Sequence, residues 1–242
     1  MEVPDYIRSY EKLLDDLVAQ HGREEAMSLI VGGQYRAIGL LESSALLTHG
    51  LRPEHSVVDV GCGSGRLAVA LNPFLTGKFY GTDVLEKALD YAREKCARPD
   101  WEFIRTLDAV IPVEDGCADY VCFFSVFTHL LDEDIYRFLV EARRVAKSGG
   151  TIMFSYLDFE VPSHWPVFES TMANRNPNRV LNKFISKPAI IKWSDQLGLT
   201  VERLYEGFEP WINLTESFRY SDGREARGTV EFGQSMAILR TR

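Results

Sequence analysis

The sequence predicts an α/β protein: a doubly wound, mostly parallel seven-stranded sheet with an antiparallel last strand, plus N-terminal helices and an inserted cover segment. Three observations carry this expectation. Short β-branched runs alternate with helical stretches between residues 56 and 156, the pattern of right-handed βαβ crossovers. A glycine-rich turn, Gly61-Cys62-Gly63-Ser64-Gly65, separates the first such run from the first helix after it. Two further strand-like runs, 199–206 and 229–240, close the chain as a hairpin would, with no helix between them.

From Pro4 to Gln20, Ile7, Tyr10, Leu14 and Leu17 recur at helical spacing, and Pro4 stands where a first turn tolerates proline. A second helix covers Arg23 to Ile30, Gly32-Gly33 breaks it, and a third runs from Gln34 to Thr48 before Gly50. Strand 56–60, helix 66–71, strand 78–83, helix 85–96 and strand 101–106 follow. After a loop through Ile111-Pro112 come strand 118–125, helix 132–147, a Gly149-Gly150 stop and strand 150–156. Residues 157–187, with Pro162, Pro166 and Pro177, read as irregular; a helix resumes near Pro188 and ends at Gly198, with Trp193 in its core face. The expectation is a single domain, 1–242. It comprises a helical cover (1–49), a ligand-binding core (50–156), an inserted lid (157–187) and a C-terminal helix and hairpin (188–242).

At 242 residues, 45% hydrophobic and 26% charged, the chain can bury a sizeable core. Its net charge of −8 works against nucleic acid, whose binding rests on Lys and Arg neutralising phosphates. No apolar run approaches the ~20 residues of a bilayer span. The first thirty residues carry Asp5, Glu11, Asp15 and Asp16 in place of a signal peptide's blocks, so no membrane role and a cytoplasmic location are expected. Cys62, Cys96, Cys117 and Cys122 form no CxxC pair and have no histidine at zinc-like spacing; they read as reduced, mostly buried thiols, with no metal. The oligomeric state is left open.

The turn spaces its glycines as GxGxG, not as the GxGxxG of dinucleotide sites, and Asp59 precedes it within the strand. A carboxylate there accepts hydrogen bonds from a ligand ammonium but repels a pyrophosphate. Asp83, at the end of the second strand, stands where α/β nucleotide folds place an acid on ribose hydroxyls; it equally suits a cap for the helix that follows. Asp108 reads either as an acceptor for an adenine amino group or as a turn residue.

The run Val57-Val58-Asp59-Val60-Gly61-Cys62-Gly63-Ser64-Gly65-Arg66 resembles the first motif of the class I S-adenosylmethionine (SAM)-dependent methyltransferases. The resemblance spans roughly residues 50 to 156. It takes in Gly81-Thr82-Asp83, Leu107-Asp108-Ala109, the Phe124 to His129 stretch, and Arg143-Arg144-Val145 through Ser148-Gly149-Gly150. It implies a Rossmann-like fold and SAM as cofactor. Gly61, Cys62 and Gly63 would hold the methionyl moiety with Asp59 near its ammonium, Asp83 and Val84 the ribose, and Leu107 and Asp108 the adenine; Ser125 would edge the same site. The closing hairpin is similar to the family's reversed last pair, which a nicotinamide-binding sheet lacks. Gly32-Gly33-Gln34-Tyr35 resembles a cofactor-covering segment, which brings Tyr35 to the cofactor.

A sulfonium methyl is already activated, so transfer needs an aligned nucleophile about 3–3.5 Å away, exclusion of water and sometimes a base. His129, four residues beyond Ser125, is the expected general base, or else a ring that packs on the next helix. Tyr35, Tyr156, Asp158, His164, Trp165 and Trp211 are expected either to wall the acceptor pocket or to pack. The segment FFSVFTHL holds no Asn-Pro-Pro-Tyr-like run, and there is no catalytic Pro-Cys pair. The expected acceptor is therefore an O or N atom of a small molecule, a sugar or glycan-linked group among them. The alternative is a non-catalytic SAM-binding regulatory protein.

Overall fold

A computed structural model describes residues 5–176 and 180–242. Pro4, Pro177 and the side chain of Ile7, invoked above, lie outside the described part. The elements in chain order begin with α1 (Asp5–His21), α2 (Arg23–Leu29), α3 (Tyr35–Thr48), β1 (Val57–Val60), α4 (Arg66–Leu71), β2 (Phe79–Asp83) and α5 (Glu86–Cys96). Then come β3 (Glu102–Arg105), β4 (Ala118–Phe123), α6 (Asp132–Val145), β5 (Ala146–Tyr156), α7 (Trp165–Ala173), α8 (Lys187–Gln196) and β6 (Thr200–Tyr205). The last are β7 (Ile212–Asn213), β8 (Phe218–Arg219), β9 (Glu225–Ala226), β10 (Thr229–Val230) and β11 (Ser235–Arg240).

Seven strands form one sheet in the order β3-β2-β1-β4-β5-β11-β6. β1 with β4, β4 with β5 and β2 with β3 are parallel, whereas β11 runs antiparallel to both β5 and β6. The expected fold class is therefore present, reversed last strand included. The strand order turns back between β1 and β4, the switch point at which open α/β sheets take their ligands. No helix among the described residues is long and apolar enough to cross a membrane.

The chain divides into two compact units. One is the chain to His55, Gly61–Leu107 and Ile212–Val230; the other is Ser56–Val60, Asp108–Trp211 and Glu231–Arg242. In the first, Leu14 of α1 is buried against Ala26 and Met27 of α2 and against Leu85, Ala88 and Tyr91, with Tyr10, Leu17 and Val18 packed around it. The helical spacing of these apolar residues is what lays α1 along α5. A Cβ on Gly39 would stand 2.6 Å from the Arg66 carbonyl oxygen, and one on Gly65 2.6 Å from Ala92 Cβ, so bare backbone lets α3 approach α4 and lets the turn approach α5.

In the second unit, β1, most of β4 and the 150–156 part of β5 are buried on successive residues, so both faces of these parallel strands are covered. Phe127 joins them, its ring 4.6 Å from Phe123 and 4.9 Å from Phe154. α6 buries Ile135, Phe138, Leu139, Ala142 and Val145, one stripe of a helix whose acids open it and whose arginines close it.

Four expectations about elements need correction. β4 stops at Phe123, short of Ser125, because Ser125 takes φ 59° and leaves the ladder. β5 starts at Ala146, not at 150: Ala146 is already extended at φ −72° and ψ 139°, and Gly149 at φ 73° bends the strand where its register on β4 shifts. The run 229–240 is two strands, since Gly233 at φ 91° separates β10, which pairs with β7, from β11 in the main sheet. Segment 157–187 is not wholly irregular; it contains α7, with Pro166 in the first turn where a missing amide is harmless. Trp193 is half-buried, since the inward face of α8 is Ile190 and Ser194.

Candidate active site

The glycine turn is built as its spacing demands. Gly61, Gly63 and Gly65 take φ of 71°, 54° and 84°, a left-handed series that L side chains rarely adopt. Backbone amides of Gly61 and Cys62 donate to the Thr82 carbonyl at 2.7 and 3.0 Å, which fastens the turn to the end of β2. The Gly63 amide donates to Asp83 Oδ2 at 2.8 Å and the Leu85 amide to Oδ1 at 2.9 Å. These amides therefore hold the fold of the turn. Asp83 does not cap the helix, whose N-cap is Leu85 with no side-chain cap bond; it holds the amide of Leu85 itself, and its carboxylate keeps acceptor capacity for a ligand hydroxyl. Burial pushes the Asp83 carboxyl up, against the amides of Leu85, Gly63 and Val84, which pull it down.

The segment between α2 and α3 lies on this turn. Ser64 Oγ donates to the Met27 carbonyl at 2.6 Å, and Tyr35 Oη to the Ser64 carbonyl at 2.7 Å. Arg66 Nη1 donates to the Val31 carbonyl at 2.6 Å, and a Cβ on Gly63 would run into Val31 Cγ1. Tyr35 thus acts on the turn through its hydroxyl while its ring meets Tyr91 edge-on at 6.3 Å. Val84 packs beside it in the α1–α5 cluster. Cys62 turns its sulfur under β2, where a Cβ on Gly81 would stand 2.8 Å away. Leu107, the last residue of this unit, is half-buried. Gln34, at φ 53°, is clasped to Ser221 by its side chain, accepting the Ser221 amide at 3.0 Å.

Sequence reasoning missed the support beneath this segment. Arg66 is 11% exposed and pairs at 2.6 Å with Glu42, 2% exposed, in the interior of α3. The signal was there: an acid in an apolar helix face facing a helix that opens with arginine. Breaking a buried pair leaves one charge uncompensated at about 3–5 kcal/mol. Glu42→Ala is accordingly expected to lower unfolding free energy by about that amount in urea titrations; an unchanged midpoint and slope would contradict it.

In the second unit, Asp59 is 3% exposed on β1. Asp108 is exposed in the bend after β3. Ser125 is held in its left-handed turn by a hydrogen bond from its amide to Ser155 Oγ at 2.7 Å, and its hydroxyl reaches Gln234 Oε1 at 3.4 Å. His129 ends a short 3-10 turn, Phe127–His129. Its Nδ1 stands 2.7 Å from the Leu181 carbonyl, so in the neutral ring Nδ1 carries the proton and Nε2 the lone pair. Burial lowers the His129 pKa, the carbonyl partner opposing, which favours the neutral form a base requires.

Among the cover residues, His164 is structural. Its Nδ1 accepts the Asp158 amide at 3.0 Å and its Nε2 donates to the Gly233 carbonyl at 2.9 Å. Trp211 is buried and stacks on Tyr205 at 4.3 Å. Trp165 is 47% exposed in a cluster with Phe159, Phe168 and Phe184. Tyr156 and Asp158 are buried. None of the four cysteines is in a disulfide; Cys62, Cys96 and Cys122 are buried and Cys117 is half-exposed. No group of metal-ligating side chains occurs among the described residues.

Comparison with known proteins agrees with this geometry. Residues 58–154 match a family model described as a methyltransferase domain. Over 106 residues the chain is 30% identical to the ribosomal protein L11 methyltransferase of Dictyoglomus thermophilum, a stretch covering 43% of this chain and 33% of that protein. The match thus spans about a third of that relative's length. A SAM-dependent methyltransferase from Thermotoga maritima has a similar structure, with TM-score 0.60, 19% identity and coverage of 98% of this chain and 99% of that one. Magnesium protoporphyrin IX methyltransferase of Synechocystis, solved with its demethylated cofactor, aligns with TM-score 0.59 and 15% identity over 86% of each chain. Residues 58–154 thus match a methyltransferase domain, and the fold is shared with these methyltransferase structures.

Proposed function

We propose that the chain transfers the methyl group of SAM to an O or N atom of a small-molecule acceptor, working as one domain over 1–242 in the cytoplasm. The observation that carries this reading is the left-handed glycine turn whose Gly63 amide is locked to Asp83 Oδ2 at 2.8 Å. A side chain on Gly63 would run into Val31 Cγ1, which packs on the turn, and the acid keeps acceptor capacity for ribose hydroxyls. Gly61, Cys62 and Gly63 would face the methionyl moiety, Asp59 its ammonium, Asp83 and Val84 the ribose, Leu107 and Asp108 the adenine. Tyr35 and Ser125 would shape the edges, the first by holding the Ser64 carbonyl and the second by its forced turn.

When bound, SAM supplies a methyl already activated by the sulfonium. The protein's task is then to align the acceptor, exclude water and hold a proton. His129, neutral and with its lone pair on Nε2, is the group to take the acceptor's proton. The acidic balance disfavours nucleic acid, and a sugar or glycan-linked group is one acceptor class that fits. The test is incubation of the full chain with methyl-labelled SAM and a panel of hydroxylated and aminated small molecules. Label is expected on one member with release of the demethylated cofactor. Binding of that product without transfer to any member would favour the non-catalytic regulatory reading.

A further inference from the structure

Among the buried side-chain oxygens of the second unit that lack a hydrogen-bond partner are Tyr156 Oη, Ser235 Oγ and Asp158 Oδ2. They are neighbours. Ser235 pairs with Tyr156 across β11 and β5, and the Asp158 carboxylate helps burial push the Tyr156 phenol up. The Ser235 hydroxyl sits close enough to pull that phenol the other way, yet the two lack hydrogen-bond geometry. Tyr156 and Ser235 are 0% exposed and Asp158 3%. Asp158 Oδ1 is occupied, accepting the Glu160 amide at 3.1 Å. An unmade bond at a buried polar group costs about 1–3 kcal/mol, so three such atoms side by side call for an occupant.

Charge says which occupant. The nearest cation is Lys187, whose Nζ stands 3.9 Å from Asp158 Oδ2 and is drawn to Glu160 at 3.3 Å and to Glu206. Three carboxylates thus share one ammonium, leaving a surplus of negative charge. All three orphan oxygens can accept, and a primary ammonium offers three N–H donors and a positive charge. One water offers two donors and no charge. The group lies where β5 and β6 end and β11 begins, the carboxyl edge of the parallel strands at which such sheets take ligands. Lys187 and Glu206, with side chains 23% and 29% exposed, are its more open members.

We propose that Tyr156, Asp158 and Ser235 bind a primary ammonium group of the methyl acceptor, which makes that acceptor an amine-bearing small molecule. The proposal rests on the methyltransferase reading above. Phe159, next in the chain and 55% exposed, stacks on Phe184 and suits an acceptor with an apolar ring.

The test is calorimetric titration of the full chain, with S-adenosylhomocysteine present, by benzylammonium and by the neutral benzyl alcohol. Benzylammonium is expected to bind saturably and the alcohol not to bind. Asp158→Asn, Tyr156→Phe and Ser235→Ala should each lower benzylammonium affinity, the first at least tenfold. The last two should keep or raise the melting temperature, because each removes a buried orphan. Equal binding of both probes, no benzylammonium binding, or affinity unmoved in all three variants would overturn the ammonium site. S-adenosylhomocysteine is titrated beforehand into the ligand-free protein of each preparation. Its normal binding beside a silent benzylammonium titration sinks this site alone, whereas its failure to bind sinks the methyltransferase reading and this site with it.

Discussion

Asp83→Ala is expected to weaken S-adenosylhomocysteine binding at least tenfold, a loss above ~1.4 kcal/mol. Two effects act together. The variant removes the acceptor placed for the ribose, and it orphans the amides of Gly63 and Leu85 that Asp83 now holds at 2.8 and 2.9 Å. Losing the first lets the glycine turn drift from the end of β2, and losing the second releases Leu85, the residue that precedes α5. Tyr10 of α1 reports on the same acid: burial, then the Asp83 charge, pushes its phenol to about 12. Asp83→Asn is the informative companion, because its one carbonyl oxygen can retain one of the two amides. Intermediate affinity is expected for Asn, with the Ala variant confirmed folded by circular dichroism. Affinity equal to the unmodified chain in both variants would contradict the ribose assignment.

His129→Ala is expected to lower turnover by roughly 10²–10⁴-fold, the usual share of a general base, with S-adenosylhomocysteine affinity unchanged. The pH dependence has a definite sign. Burial, opposed by the Leu181 carbonyl, depresses the His129 pKa below its ordinary value near 6.5, and only the neutral ring accepts a proton. The rate should therefore be level at neutral pH and fall as pH drops through that depressed pKa. The variant's profile should lose the inflection. An inflection above 6.5 would contradict the lowered pKa, and full turnover without the ring would show that alignment alone suffices.

What the sequence made legible was local. Gly61, Gly63 and Gly65 announce a left-handed turn because few other residues tolerate it, and Asp83 announces itself by closing a strand. The α6 stripe and the buried β1, β4 and β5 runs follow from periodicity alone. The misreadings arose where backbone conformation departs from what residue type suggests. Ser125 is left-handed without being glycine, Gly149 bends a strand instead of ending a helix, and Gly233 divides a run read as one strand. Contacts between distant residues were hidden for another reason. Glu42 with Arg66, Val31 over Gly63, and Ser235 beside Tyr156 are pairings that only the folded chain brings together. α7 was obscured because Pro162 and Pro166 look like breakers, although each opens a helical turn.

Calorimetric titration of the full chain with S-adenosylhomocysteine, and separately with NAD, tests most directly whether the turn and Asp83 hold an amino-acid-bearing nucleoside. The account predicts one saturable site of micromolar-range affinity for S-adenosylhomocysteine and no heat of binding for NAD. Saturable NAD binding with no response to S-adenosylhomocysteine would contradict it.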